Sequence, residues 1–247
     1  MNKKKEQLLK KRSHVLKTIL IILSNIITVV TCSYVGNYIL TKSQFQTSNE
    51  LNVFLTEHFN SYLFGLFMCL IIVSLIVTLV GDSFIGGGLA VILALVLGFI
   101  NANKLQARQA PLYPEELLMA SEAGALSKMV NHQALLMLIG KIVIILVASF
   151  LIFYLKRRFN FKLPARQNLR IRIAMMAILI FPLSQFPKIG TRDHYLDKYF
   201  KKEGIDVGYW GWNQPGNYDA NGFVLGFAFN AIPQDIMEKP EDYSEKK

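Results

Sequence analysis

The sequence predicts an all-α polytopic membrane protein with five transmembrane helices, its N-terminus inside the cell and its C-terminus outside. Of its 247 residues, 52% are hydrophobic and only 18% are charged. Apolar runs of about 20 residues recur along the chain, which is the length that a helix needs to cross a hydrocarbon layer about 30 Å thick. A soluble domain of this size would not need such runs.

The formal net charge of +10 is concentrated in two clusters that adjoin apolar runs. This distribution is typical of the positive-inside bias and predicts that both clusters lie in the cytoplasm. It argues against nucleic-acid binding, which requires the charge on a folded module with aromatic platforms. The clusters comprise Lys3, Lys4, Lys5, Lys10, Lys11 and Arg12, and Lys156, Arg157, Arg158, Lys162, Arg166, Arg170 and Arg172.

The five predicted spans form a transmembrane domain over residues 1–186. The first resembles a signal peptide in its basic flank, but its apolar part is too long and no A-x-A cleavage site follows, so we expect a retained signal anchor. The fifth is about 16 residues long with Pro182 near its end, close to the lower limit for a spanning helix. The spans are expected at about 15–40, 61–80, 84–102, 134–155 and 171–186.

The second and third spans are joined by a tight turn at residues 81–83, so these two helices must be antiparallel neighbours. Three consecutive glycines, residues 86–88, follow the turn. A phosphate-binding loop would need a Lys and a Ser or Thr after them, whereas Leu89 and Ala90 follow. Close helix packing through small residues is therefore the favoured interpretation.

Two connecting segments are expected to lie along the membrane surface. Residues 41–60 form a polar loop in which Leu51, Phe54 and Leu55 fall on one helical face. A second, interfacial amphipathic helix is predicted between spans three and four, from Pro114 to about residue 130. Proline followed by two acidic residues is typical of a helix start, and later charges prevent this helix from crossing the membrane.

Candidate residues for binding a lipid headgroup or substrate lie mainly in this outer loop. Arg108 is the strongest, because a guanidinium beside a proline-rich turn can bind phosphate bidentately. Lys141, one third of the way into span four, is a functional candidate by its depth, although snorkelling to the headgroups is the favoured interpretation. Interfacial anchoring is an equal alternative for the loop residues. The candidates are Lys104, Arg108, Glu115, Glu116 and Lys141, with Arg192 and Lys198 as secondary ones.

No catalytic or metal-binding constellation can be assembled from the sequence. The four histidines are scattered, without the spacing of metal ligands, and no G-x-S-x-G motif occurs. Cys32 and Cys69 lie in apolar runs, and we expect them to be free thiols.

Residues 187–247 are predicted to form an extracellular interfacial segment and linker. Their Trp and Tyr residues are typical of a membrane-interface belt, with sugar stacking as an alternative. The apolar stretch 222–232 is too short to cross and is expected to pack on the outer leaflet.

Two segments resemble the lipoteichoic acid synthase family. The first carries a basic residue, prolines and an acidic-Leu pair, as does the loop before the fourth helix of that family. The second resembles the stretch that joins the membrane part of these enzymes to their extracellular domain. The residues of the first segment are Lys104, Arg108, Pro111, Pro114, Glu115, Glu116 and Leu117. Those of the second segment are Tyr218, Asn221, Gly222, Phe223, Gly226, Phe227, Asn230, Met237, Pro240, Tyr243 and Ser244.

The resemblance implies a sulfatase-like phosphoglycerol transferase of the cell envelope. Such enzymes transfer glycerol phosphate from phosphatidylglycerol to a polymer on a glycolipid anchor. Their threonine nucleophile and manganese site lie in an extracellular domain whose motifs do not occur in this sequence, so no catalytic residue can be carried over. We therefore expect the membrane part alone: a truncated product, the product of a disrupted reading frame, or an independent short protein.

The sequence thus favours a membrane-anchoring and lipid-presenting module in the cell membrane, with phosphatidylglycerol or a glycolipid anchor and envelope-synthesis proteins as partners. The alternative is a small non-catalytic membrane protein that regulates or binds envelope enzymes. A transporter is a weaker hypothesis, since Lys141 is nearly alone among intramembrane polar groups.

The predicted topology is tested by placing a cysteine at Ser244. In intact cells an impermeant maleimide should label the Ser244→Cys variant, and the unsubstituted chain serves as the control for Cys32 and Cys69. Labelling that requires permeabilised cells would reduce the number of spans to four.

Overall fold

The computed structural model describes residues 3–118, 132–186, 195–205 and 213–231, and this part of the chain is helical without strands. The all-α prediction is therefore confirmed. The described helices are α1 (Lys3–Gln44), α2 (Ser48–Glu57), α3 (Phe59–Val80), α4 (Ser83–Arg108), α5 (Pro114–Leu118), α6 (His132–Arg158), α7 (Ala165–Gln185), α8 (Tyr195–Lys202) and α9 (Gln214–Asn230).

Within the described residues, four helices are long and apolar enough to cross a bilayer, so the chain is a membrane-embedded, multi-pass protein. They correspond to the first four predicted spans. The fifth predicted span corresponds to α7, which has 21 residues and begins at Ala165 rather than near residue 171. Arginines in its first two turns lower its mean hydropathy, so the crossing of α7 stays a prediction. The four segments are Val15–Gln44, Phe59–Val80, Ser83–Arg108 and His132–Arg158.

Helix α4 lies at the centre of the bundle and contacts α1, α3 and α6. Helices α1 and α4 run parallel, as two hydrogen bonds near opposite ends of α4 show. At one end Ser83 Oγ donates to Asn25 Oδ1 at 2.7 Å. At the other end Asn101 Nδ2 donates to the Ser43 carbonyl at 3.0 Å. Both pairs are 58 residues apart in the chain, which fixes the axial register of the two helices.

The three glycines in the first turns of α4 each lie against a different helix. A Cβ atom at Gly86 would come within 2.7 Å of the Val77 backbone in α3. One at Gly87 would lie 2.7 Å from Cys32 Sγ in α1, and one at Gly88 would overlap Ser149 in α6. The prediction of close packing through small residues is confirmed, and Cys32 and Cys69 are free thiols.

The turn between α3 and α4 has the predicted antiparallel geometry. Gly81 ends α3 with φ of +84°, a left-handed conformation that favours glycine, and its N–H donates to the Val77 carbonyl. Asp82 then caps α4 by accepting hydrogen bonds from the N–H groups of Phe84 and Ile85. We call the end of the bundle that holds this turn the basic end, because Lys156 contacts Asp82 in the turn and Arg172 contacts the last turn of α3.

The predicted polar loop at residues 41–60 is largely helical. Thr47 and Glu50 form a capping box that starts α2, and Leu51 and Phe54 on its predicted apolar face are buried. The predicted interfacial helix begins at Pro114 as expected, and α5 is described to Leu118. Its continuation over residues 119–131 lies outside the described residues.

Helix α9 differs from the prediction for residues 222–232. The run Phe223, Val224 and Leu225 is buried among α1, α2 and α3 rather than placed on lipid. A kink at Gly222, with φ of +73° and ψ of 172°, redirects the helix. The Phe54 ring lies against this glycine, 2.9 Å from where a Cβ atom would stand. The apolar stretch therefore completes the protein core at one end of the bundle.

Replacing Gly86 with alanine should separate α3 from α4, because the new methyl group meets backbone that cannot move independently. We expect Gly86→Ala to lower stability by about 1–3 kcal/mol, the usual cost of overpacking. Thermal unfolding in detergent micelles measures the change. The control is Gly140→Ala, since nothing lies within 4 Å of a Cβ atom there. Equal melting temperatures for the two variants would contradict the packing described here.

Candidate functional site

The five residues that the sequence singles out differ in burial and in contacts. Lys104 is buried, with 4% of its surface exposed, and is paired with Glu116. Arg108 is exposed in the last turn of α4, and Glu115 is exposed at the start of α5. Lys141 is exposed on α6, a helix in which no residue is buried. Lys104 and Glu116 are thus brought into direct contact.

The Lys104 ammonium holds the loop that follows α4. Its Nζ donates to the Pro111 carbonyl and to the Glu116 carboxylate, and it lies 4.4 Å from the centre of the Tyr113 ring. The same carboxylate accepts the Tyr113 N–H at 3.0 Å. A buried ammonium loses hydration, and these partners offset that cost. The loop is therefore folded back over the end of α4.

Asn101 joins this loop to α1. Its side-chain oxygen accepts the Leu112 N–H at 2.8 Å. Its amide nitrogen donates to the Ser43 carbonyl at 3.0 Å and lies 3.4 Å from Gln44 Oε1. Gln44 in turn donates to Asp219 at 3.2 Å, which extends the contacts to α9. Because Asn101 is fully buried, each of these bonds replaces one to water.

Tyr218 connects α9 with the loop that follows α4. Its hydroxyl donates to the Leu112 carbonyl at 2.8 Å, and its ring meets Tyr113 edge-to-face with centroids 5.9 Å apart. The side chain has no exposed surface. Leu112 is therefore held by both of its backbone polar groups, the N–H by α4 and the carbonyl by α9. We call Asn101, Lys104, Glu116, Tyr218 and the loop 111–113 the outer network.

Burial and negative neighbours keep the phenols of the outer network protonated. Burial raises the pKa of Tyr218, and the Tyr113, Glu116 and Glu115 side chains raise it further. Burial first, then Glu116 and Glu115, also raise the pKa of Tyr113. Tyr218 therefore donates its hydrogen bond throughout the physiological pH range.

A groove of about 610 Å³ adjoins the outer network. Gln44, Leu105, Pro111 and Asp219 line it together with Glu50 of α2 and with His58, which lies between α2 and α3. Within the described residues no group of His, Cys, Asp and Glu is arranged to hold a metal ion. The arrangement can thus hold a loop rigidly and expose Arg108 beside it.

Sequence reasoning missed Asn101 and Tyr218, the two residues that join the loop to α4 and α9. An amide at the end of a long apolar run was a usable signal for Asn101. Tyr218 lies in the second segment that carries the resemblance, but its contact with Leu112 had no signal in the sequence, because the two residues are 106 positions apart. Of the secondary candidates, Lys198 is exposed on α8, and Arg192 lies outside the described residues.

Comparison of the chain with protein-family models, with characterised proteins and with solved structures finds no significant match.

Proposed function

We propose that this chain is the membrane-anchoring and lipid-presenting module of a lipoteichoic acid synthase-like phosphoglycerol transferase. The observation that supports this most directly is the contact between the two segments that carry the resemblance. The first supplies Lys104, Pro111 and Glu116, and the second supplies Tyr218, whose hydroxyl binds the carbonyl of Leu112. Segments that lie about 100 residues apart in the chain thus form one folded unit.

Such a unit is suited to hold a following domain at a defined place on the membrane. Helix α9 is buried against α1 and α3, and Tyr218 and Phe223 belong to the core. The attachment point that α9 provides is therefore packed into the bundle. Substrate lipid and a tethered catalytic domain would meet at this end of the bundle.

The arrangement of the helices supports an orientation with the outer network outside the cell. Because α1 is parallel to α4, the N-terminus of α1 lies toward the basic end. Lys156 and Arg172 lie there too, so both basic clusters are on one side of the bundle. By the positive-inside bias, this arrangement supports the proposal of a cytoplasmic basic end and of an outer network on the outer surface of the cell membrane.

Within this proposal Arg108 is the residue that binds the phosphate of a phosphatidylglycerol headgroup. Lys104 has its ammonium engaged by Pro111 and Glu116, which gives it a structural role. Arg108 is exposed one turn further along α4, where the helix ends at Gln109. An exposed guanidinium on a rigid support can bind two phosphate oxygens at once.

Replacing Arg108 with alanine should lower polymer synthesis by a full-length transferase that carries this module, while membrane insertion stays intact. The expected loss is about tenfold, since a hydrogen bond to a charged group contributes roughly 1.5–3 kcal/mol. On the chain itself, photoactivatable phosphatidylglycerol in proteoliposomes should label residues 104–117, and the labelling should fall in the Arg108→Ala variant.

The matched control is Arg158→Ala, which removes the same charge from an exposed position near the opposite end of the bundle. It should leave both synthesis and labelling unchanged. Unchanged synthesis in Arg108→Ala would remove Arg108 from the site. Equal labelling of residues 104–117 by a photoactivatable phosphatidylcholine would contradict selective presentation of the lipid.

A further inference from the structure

A cavity of about 370 Å³ opens between α1, α3 and α7 at the basic end. Most of its wall is apolar, with Ile22, Ile26 and Val30 of α1 on one side and Met175 of α7 on another. These three α1 side chains are between 37% and 53% exposed, so the cavity faces the surrounding lipid. Asn25, Ser83, Asn168 and Arg172 supply its polar wall.

A second cavity of about 460 Å³ adjoins the first. The two have Asn25, Gly81, Ser83, Leu163 and Asn168 in common. The second is the more polar, and its wall holds three further basic side chains, which are Lys156, Arg157 and Lys162. Together the two cavities form a continuous surface that changes from apolar to strongly basic.

The charge of this surface is unbalanced. Among the described residues that line the two cavities, Asp82 is the one acid, against Lys156, Arg157, Lys162 and Arg172. The Asp82 carboxylate is already engaged, since it caps α4 and lies 3.4 Å from Lys156 Nζ. Three of the four basic groups therefore have no acidic counterpart on this surface.

Arg172 is held in place independently of any ligand. Its Nε donates to the Thr78 carbonyl at 2.6 Å and its Nη2 to the Leu79 carbonyl at 2.8 Å. These carbonyls belong to the last turn of α3, where a positive group is favourable. Asn168 adds a bond to the Gly81 carbonyl at 3.3 Å. The guanidinium is thus fixed at the boundary between the apolar and the basic part.

We propose that this surface is a binding site for one anionic phospholipid, with an acyl chain in the apolar cavity and the phosphate among Arg157, Lys162 and Arg172. Charge complementarity selects this occupant over a zwitterionic lipid, since basic pockets between membrane helices attract acidic headgroups. The bound lipid joins α7 to α1 and α3. The site lies at the opposite end of the bundle from the outer network and does not depend on the proposed transferase function.

Native mass spectrometry of the full chain with added dioleoyl phosphatidylserine tests the proposal. Arg108 could also bind the phosphate of phosphatidylserine, so variants at the basic end that leave Arg108 intact separate the two sites. One phosphatidylserine should bind more tightly than phosphatidylcholine. The double variant Arg157→Ala/Lys162→Ala should weaken that binding by about tenfold or more, since each basic group near the headgroup contributes roughly 1 kcal/mol. This variant leaves the Arg172 contacts and the Lys156–Asp82 pair intact.

The matched control is Arg158→Ala/Arg166→Ala, which removes equal charge from the same region at positions that line neither cavity. It should bind phosphatidylserine as the unsubstituted chain does. A third variant, Val30→Trp, fills the apolar part and should also weaken binding. Equal affinity for the two lipids, or equal losses in the double variant and its control, would overturn the proposal. Displacement of the lipid by millimolar inorganic phosphate would overturn the role of the acyl chain.

Discussion

The close approach of three helices to the start of α4 is the constraint on which the rest of the structure depends. Gly86, Gly87 and Gly88 present bare backbone to α3, α1 and α6 in turn. Without a hydrophobic driving force between helices in lipid, such contacts and interhelical hydrogen bonds hold a bundle together. These contacts also fix the axial position of α4 in the bundle. At the other end of α4, Asn101 and Lys104 contact the loop.

The outer network fixes the loop 111–113 to the end of α4. The buried Lys104 ammonium would be costly alone, and its partners are the Pro111 carbonyl in the loop after α4 and the Glu116 carboxylate in α5. Leu112 is held from both sides, by Asn101 in α4 and Tyr218 in α9. The two ends of the molecule therefore differ in character. One is a satisfied internal network beside an exposed Arg108, and the other is a surface with excess positive charge.

The parts of the fold that the sequence predicts are those governed by length and local composition. Apolar runs predicted the four spanning helices, and the glycines before Leu89 predicted close packing. Pro114 predicted the start of α5. The burial of Phe223 and the role of Tyr218 could not be predicted, because both depend on partners brought close only by tertiary folding. Lys104 is predictable as a candidate, but its structural role follows from its pairing with Glu116.

The central claim is that the loop 111–113 and α9 form one cooperative unit, and hydrogen–deuterium exchange in nanodiscs tests it most directly. In a Tyr218→Phe variant, which lacks the hydroxyl bound to the Leu112 carbonyl, amides of residues 110–117 and of 217–226 should exchange faster together. Tyr199→Phe, at a tyrosine that is 58% exposed, should change neither segment. Faster exchange confined to α9, with the loop unaffected, would contradict the account.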